Sequence, residues 1–249
     1  IIFTITACSQ PAVAIQPATF IGMESPEIKV GAERMEMYLY LLKNKSVAVG
    51  ANQTSMVGNV HLVDTLLSLG VAVKKVFSPE HGFRGNADAG EKIKNAMDKK
   101  TGLTIVSLYG GHFKPDTSEL KEIDIVVFDI QDVGVRFYTY ISTMHYVMEA
   151  CAENKITFLV LDRPNPNGFY VDGPVMQKEY MSYVGLHPVP LVHGMTVAEY
   201  ARMVNGQGWL KDGVRCNLIH ILCEGYTHNS YYELLVNPSP NLPNMKAVY

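Results

Sequence analysis

The fold is decided by the stretch Ile123-Asp-Ile-Val-Val-Phe-Asp-Ile-Gln-Asp-Val-Gly134, where an apolar run ends in carboxylates and a glycine. The run is nearly continuous in Val, Ile and Phe and does not alternate with polar residues. Burial on both faces produces that pattern, which is typical of a strand inside a parallel sheet covered by helices. We therefore predict a central strand over 123–130 with polar side chains at its C-terminal end.

Similar apolar runs lie on both sides of this strand, and helical patterns separate several of them. The predicted strands cover residues 46–50, 71–77, 103–108, 123–130 and 156–161, and the predicted helices cover 60–69, 138–154 and 197–205. Thr196-x-x-Glu199 has the form of a capping box at the start of the last helix. The alternation of strand and helix predicts an α/β fold with a doubly wound, mostly parallel sheet.

Composition and motifs exclude several classes of protein. The 249 residues are 47% hydrophobic with a net charge of -3, so there is a core to bury and no basic surplus for nucleic acid. No apolar run reaches the ~20 residues of a membrane span. The sequence contains no G-x-G-x-x-G, P-loop, G-x-S-x-G or H-E-x-x-H motif. We therefore predict neither a cofactor nor a metal.

The first 30 residues have the features of an export segment and tether. Ile5-Thr-Ala-Cys8 resembles a bacterial lipobox, and the Pro-bearing polar stretch after it suits a tether. The alternative is a short buried strand that ends in Cys8. The lipobox predicts a lipid anchor at Cys8 and an exported, periplasmic or outer-membrane-associated lipoprotein. The other cysteines, Cys151, Cys216 and Cys223, are predicted to be free thiols.

Polar side chains and turn-forming glycines or prolines follow each predicted strand. In open α/β sheets, ligands bind in the crevice beyond the carboxyl ends of the strands, so we predict a polar cleft there. The candidate residues at these ends are Asn52, Gln53, Glu80, His81, Arg84, Asp129, Asp132, Asp162, Arg163 and Asn165. Structural alternatives remain open: Asn52 and Gln53 suit a helix cap, and Asp162 with Arg163 suits an internal ion pair.

The carboxylates of this predicted cleft suit two chemistries. Paired carboxylates serve glycoside cleavage, where one protonates the leaving oxygen and another group activates water or attacks the sugar. Carboxylates such as Glu80, Asp129 and Asp132 also suit a divalent cation, with His81 or His112 completing the ligand set. Glu80 is the leading candidate for a general acid. Its alternative is an ion pair with Arg84 that only fixes the loop.

Five segments, taken together and in order, resemble the bacterial exo-β-N-acetylmuramidase family. They are Ser-Pro-Glu80-His-Gly-Phe-Arg-Gly, Asp129-Ile-Gln-Asp-Val-Gly-Val-Arg136-Phe-Tyr-Thr-Tyr140, Leu-Asp162-Arg-Pro-Asn165-Pro, Val-His193-Gly-Met-Thr and Pro238-Ser-Pro-Asn-Leu-Pro243. The resemblance implies a glycoside hydrolase that releases N-acetylmuramic acid from the non-reducing ends of peptidoglycan fragments. It also implies a Rossmann-like domain followed by a smaller second domain, with the active site between them and Glu80 as the catalytic glutamate.

The resemblance leaves the second catalytic residue open, and our candidates are Asp132, His193 and Tyr138. Tyr140 is a further candidate for substrate binding, and Arg84, Arg136 and Arg163 are candidates for binding the lactyl carboxylate of muramic acid. We expect a Rossmann-like catalytic domain over 31–215 and the start of a truncated second domain over 216–249. The alternatives are a metal-dependent hydrolase and a lipoprotein that binds muropeptides without cleaving them.

Overall fold

A seven-stranded sheet forms the centre of the structure, a computed structural model that describes residues 27–85 and 96–248. The strands of the chain are β1 (Ser46–Ala51), β2 (Met56–Val57), β3 (Val60–His61), β4 (Ala72–Ser78), β5 (Ala96–Met97), β6 (Thr104–Ser107), β7 (Ile125–Asp129), β8 (Thr157–Leu161) and β9 (Leu218–Ile221). The sheet order is β5-β6-β4-β1-β7-β8-β9, and β2 pairs with β3 separately. Every pairing in the large sheet is parallel except that of β5 with β6. The predicted mostly parallel sheet is therefore confirmed.

Helices cover both faces of the sheet. They are α1 (Leu39–Leu42), α2 (Leu62–Ser68), α3 (Tyr140–Glu153) and α4 (Val197–Gln207). Val47 and Val49 of β1 pack in one core with α1 and α2, whereas Ala48 faces the other core with α3 and α4. This burial on both faces explains why the strands read as continuous apolar runs. The fold is the doubly wound, Rossmann-like architecture.

The predicted capping box at the start of α4 is present. Thr196 Oγ1 accepts a hydrogen bond from the Glu199 backbone N–H at 3.3 Å, and Glu199 Oε2 accepts one from the Thr196 N–H at 2.9 Å. At the other end, Gly208 has a φ of 69° and stops the helix. Glu199 therefore has a structural role, and His193 lies just before the capped turn.

The sheet extends past residue 215, where the sequence predicts the first domain to end. Residues 218–221 form β9, which pairs in parallel with β8 at the edge of the same sheet. Beyond β9, Glu224 pairs through its backbone with Lys29. The second domain predicted from residue 216 stays a prediction. The first strand after that point, β9, belongs to the central sheet.

The predictions about free cysteines, a lipid anchor and membrane spans have different outcomes. Cys151, Cys216 and Cys223 are free, as predicted, and the first two are buried. Cys8 lies outside the described residues, so its lipidation stays a prediction. None of the helices in residues 27–85 and 96–248 is long and apolar enough to cross a bilayer.

Candidate active site

A cleft of about 520 Å³ opens at the carboxyl edge of the sheet. Strand β1 lies between β4 and β7, so the strand order reverses there, and ligands bind at such a switch point. The described residues that line the cleft are Glu80, His81, Tyr109, Val133, Val135, Phe137, Tyr138, Thr139, Tyr140, Tyr183, Val184, Ser239, Asn241, Leu242, Ala247 and Val248. Four of the predicted site residues are among them: Glu80, His81, Tyr138 and Tyr140.

Glu80 reaches the cleft because a tight turn follows β4. His81 and Gly82 both have a positive φ, 69° and 78°, so the chain reverses direction directly after Glu80. The half-buried Glu80 carboxylate accepts a hydrogen bond from the Tyr109 hydroxyl, which follows β6. Burial and this hydrogen bond raise the pKa of Tyr109, so its hydroxyl is a neutral donor. The turn thus presents an acidic side chain in an orientation held by a neighbouring strand.

Aromatic side chains form much of the cleft wall. The rings of Tyr138 and Tyr140 contact edge to face with centroids 5.1 Å apart, and the Tyr140 hydroxyl donates to the Pro238 carbonyl at 2.6 Å. Tyr183 stacks on Phe113 at 4.1 Å, and burial raises the pKa of Tyr183 to about 12. Flat apolar faces with polar edges suit a ring that carries hydroxyl groups.

Asp132 and His193 form a buried pair next to the cleft. His193 Nε2 lies 3.6 Å from Asp132 Oδ2, and the two side chains are 1% and 5% exposed. His193 Nδ1 accepts a hydrogen bond from the Met195 N–H, and Nε2, which faces Asp132, has no hydrogen-bond partner. Asp132 Oδ2 also accepts from the Gly134 N–H, while Asp132 Oδ1 is buried without a partner. Neither side chain lines the cleft, but Val133 next to Asp132 does.

The three arginines predicted to bind a carboxylate on the substrate are engaged elsewhere. Arg163 binds Asp129 in a bidentate pair, at 2.6 and 2.9 Å, with both side chains at most 3% exposed. Arg136 donates to the carbonyls of Pro174 and Val189, at 2.8 and 2.6 Å. This placement does not support the predicted contacts of Arg163, Arg136 and Asp129 with substrate.

Arg84 lies outside the cleft and binds two carboxylates. Its guanidinium contacts Asp64 at 3.1 and 3.2 Å and Asp98 at 2.9 and 3.2 Å, and the hydrogen bonds from Arg84 lower the pKa of Asp98 to about 2. Lys100 joins the cluster through Asp64 at 2.7 Å. This network fixes the loop after β4, but the carboxylates that bind Arg84 are Asp64 and Asp98 and not Glu80, which was the alternative considered for Glu80.

Asp162 and Asn165 stabilise loops and do not line the cleft. Asp162 accepts hydrogen bonds from Thr196 Oγ1 and the Ala198 N–H, both at 2.9 Å, so it caps α4, and burial raises its pKa to about 6. The Asn165 amide bonds the Met195 carbonyl and the Asn167 N–H. A Cβ on Gly134, whose φ is 80°, would lie only 2.3 Å from Asn165 Oδ1. The loops after β7 and β8 are therefore packed tightly against each other.

Asn52 and Gln53 also form hydrogen bonds that fix the backbone of loops beside the cleft. Asn52 Oδ1 accepts hydrogen bonds from the N–H and hydroxyl of Thr54, at 2.9 and 2.6 Å. Gln53 Nε2 donates to the carbonyls of Asn237 and Pro238, at 3.2 and 3.0 Å. Gln53, together with Tyr140, therefore anchors the segment before 239–248, which lines one side of the cleft.

The residues that offer metal ligands share only His112 with the predicted candidates. Within residues 27–85 and 96–248, one group of three or more potential ligands has its donor atoms within 4.8 Å of one another: His112, Asp116 and Glu119. His112 and Glu119 already contact each other at 2.9 Å. Asp129 is held by Arg163, so the predicted set of Glu80, His81, Asp129 and Asp132 does not come together as a metal centre.

Sequence reasoning missed Tyr109, Tyr183 and the segment 239–248 as parts of the cleft. Tyr109 carried a signal, because it follows a predicted strand and precedes Gly110 and Gly111. The segment 239–248 belongs to a motif that supported the family resemblance, yet no residue in it was predicted to contact substrate. Tyr183 lies in an irregular loop, where no pattern indicates its position.

These features define a Rossmann-like domain with a sugar-sized, tyrosine-rich cleft at the switch point of its sheet. Comparison with known families makes the assignment specific: residues 47–246 match the model described as exo-β-N-acetylmuramidase NamZ, N-terminal. The chain belongs to this family.

Individual relatives agree with the assignment. The chain is 38% identical over 236 residues to the peptidoglycan β-N-acetylmuramidase NamZ of Bacillus subtilis (strain 168), covering 91% of this chain and 56% of the relative. Crystal structures of two DUF1343 family proteins from Bacteroides fragilis NCTC 9343 superpose with TM-scores of 0.82 and 0.81, at 50% and 36% identity. They cover 90% and 89% of this chain and 59% and 57% of theirs. The chain thus spans somewhat more than half the length of these relatives.

Proposed function

We propose that this protein is an exo-acting glycoside hydrolase that releases N-acetylmuramic acid from the non-reducing ends of peptidoglycan fragments. The observation that carries the proposal is Glu80, which lies in the wall of a cleft of about 520 Å³. That volume is within the range of roughly 300–1,000 Å³ of small-molecule sites. The name of the Bacillus subtilis relative supports the same substrate.

Glu80 is the proposed general acid. Its carboxyl group donates a proton to the glycosidic oxygen as the bond to the anomeric carbon breaks, so the leaving sugar departs as a neutral alcohol. The Tyr109 hydroxyl binds the Glu80 carboxylate and holds its orientation. The tyrosines of the wall hold the sugar ring, and the apolar faces exclude water from the leaving group.

Asp132 is the proposed second catalytic group, and the buried His193 lies beside it. Its Oδ1 is an unpaired acceptor, and the residue after it lines the cleft. Because the side chain itself does not line the cleft, we propose that the attacking water reaches Oδ1 from the cleft beside Val133 and gives up its proton there. The Gly134 N–H binds the other oxygen of the carboxylate at 2.8 Å and so restricts its rotation, and His193 Nε2 lies 3.6 Å from the same oxygen.

The experiment that tests this function is release of N-acetylmuramic acid from a β-muramide whose leaving group is a sugar, because a sugar alcohol must be protonated as it leaves, whereas a chromogenic phenolate need not be. Glu80→Gln keeps the shape of the side chain but cannot donate a carboxyl proton, so we expect kcat to fall by about 10²–10⁴-fold. Glu153→Gln is the matched control, because Glu153, the last residue of α3, pairs with Lys114 and does not line the cleft.

The same measurements distinguish a glycosidase that uses Glu80 from the alternative functions. Unchanged kcat in Glu80→Gln would remove Glu80 from the mechanism. Tight binding of the muramide by the wild-type protein without any turnover would instead support a protein that binds muropeptides and does not cleave them.

The location of the protein is a separate proposal that rests on Ile5-Thr-Ala-Cys8. We propose that Cys8 carries lipid and tethers the domain to a membrane in the cell envelope, where wall fragments are released. Metabolic labelling with an alkyne fatty acid tests this. Label on the wild-type protein that is lost in Cys8→Ser supports the anchor, and equal labelling of both contradicts it.

A further inference from the structure

The sequence predicts that arginines bind the acidic group of the substrate, but the charged groups of the described cleft wall do not fit this prediction. A muramic acid residue differs from glucosamine by a lactyl ether that ends in a carboxylate. The described residues of the cleft wall include no lysine or arginine, and their ionisable groups other than tyrosine are Glu80 and His81. Something other than a guanidinium of this wall must therefore recognise the acidic group, if the proposed function is correct.

None of the three candidate arginines fills this role. Arg163 is 3% exposed and bound to Asp129, and Arg136 is 8% exposed and bound to two backbone carbonyls. Arg84 lines a separate hollow with Asp64 and Lys100. Moving any of these side chains to the cleft would leave a buried carboxylate or carbonyl without its partner, which is unfavourable.

His81 has two energetically unfavourable features that are typical of a residue in a binding site. It lines the cleft, is 5% exposed, and its Nδ1 has no hydrogen-bond partner. Its φ of 69° lies in the left-handed region, which is unfavourable for a residue other than glycine. Buried polar atoms without partners are rare, and backbone strain of this kind concentrates at functional sites.

We propose that His81 is the residue that recognises the lactyl carboxylate and so selects muramic acid over glucosamine. An imidazole N–H donates a hydrogen bond to the carboxylate, which is stronger than a bond between neutral groups. The inference rests on the proposed function of the cleft. The turn after β4 then provides two functions. Glu80 protonates the glycosidic oxygen, and His81 binds the lactyl carboxylate.

The test compares two chromogenic substrates that differ only in the lactyl group, an N-acetyl-β-muramide and an N-acetyl-β-glucosaminide. The variants are His81→Asn and His81→Gly, because asparagine and glycine both tolerate a positive φ. We expect the ratio of kcat/KM for muramide over glucosaminide to fall at least tenfold in both variants. His112→Asn, at a half-buried histidine outside the cleft, is the matched control and keeps the wild-type ratio.

An equal loss on both substrates, or an unchanged ratio, would overturn the inference, since His81 would then support the turn or bind a part common to both sugars. Calorimetric binding of N-acetylmuramic acid and N-acetylglucosamine separates this outcome from failure of the proposed function. Without any hydrolysis by the wild type, a preference for N-acetylmuramic acid that disappears in His81→Asn leaves the inference standing and removes the glycosidase.

A measurement on the wild-type protein covers the case in which the variants fold poorly. Addition of N-acetylmuramic acid should shift the ¹⁵N resonances of the His81 ring, and addition of N-acetylglucosamine should not. Identical shifts with both sugars, or none with either at saturation, would contradict the assignment.

Discussion

At the scale of single residues, similar side chains have different roles because their partners differ. Glu80 lies in the cleft wall, whereas Asp129 is held by Arg163 and Asp162 caps α4. All three lie at or just after the C-terminal end of a strand of the same sheet, so their positions in the sequence do not distinguish them. The distinction comes from residues far along the chain: Arg163 and Asp129 are 34 positions apart.

Removal of the carboxylate from the pair of Asp129 and Arg163 should strongly destabilise the fold. In Asp129→Asn the guanidinium of Arg163 remains buried without its charged partner, so we expect the free energy of unfolding to fall by about 3–5 kcal/mol. Urea denaturation measures the change. Asp129→Asn combined with Arg163→Met should be more stable than Asp129→Asn alone.

Glu224→Gln is the control for this prediction. Glu224 contacts Lys29 at 3.5 Å, but both side chains are 52% exposed, so the loss should be below about 1 kcal/mol. An equally small loss in Asp129→Asn would show that the buried pair does not stabilise the domain.

At the scale of elements, the sequence was sufficient for the long strands and helices. The strand predicted over 46–50 is β1, Ser46–Ala51, and the helix predicted over 138–154 is α3, Tyr140–Glu153, because long apolar patterns determine both. Two-residue strands such as β2 and β5 are too short to carry a pattern, and they were not predicted. For the site, the sequence identified Glu80 and His81 by their position after β4. It could not reveal that Arg84 pairs with Asp64 and Asp98, because that depends on packing of distant segments.

The cap of α4 should make stability depend on pH. Burial raises the pKa of Asp162 to about 6, above its ordinary value near 3.8, so the folded protein binds this proton more readily than the unfolded chain. The free energy of unfolding should therefore decrease as pH rises from about 4 to about 6, by up to roughly 3 kcal/mol from this group. Asp162→Asn should lack that part of the dependence.

Urea denaturation at a series of pH values measures this contribution as the difference between wild type and Asp162→Asn. Asp212→Asn, at an exposed position with a φ of 56° that asparagine tolerates, should follow the wild-type curve. A difference between wild type and Asp162→Asn that is constant with pH would mean that Asp162 does not titrate in this interval.

At the scale of the whole molecule, sheet order explains how distant segments form one cleft. The reversal of strand order at β1 leaves a crevice above the carboxyl ends of its neighbours, and the turns after β4, β6 and β7 meet there. The segment 239–248 closes one side, anchored by Gln53 and Tyr140 through the carbonyl of Pro238. The side chains predicted at the ends of β7 and β8 mostly hold these turns in place, which gives the cleft a fixed shape.

The most direct test of the account is a crystal structure of Glu80→Gln with a bound disaccharide that has N-acetylmuramic acid at its non-reducing end. We predict that the muramic ring lies against the tyrosines of the cleft, with the glycosidic oxygen about 2.6–3.2 Å from the side chain at position 80. A disaccharide bound elsewhere, or bound in the cleft with its glycosidic oxygen out of reach of residue 80, would contradict it.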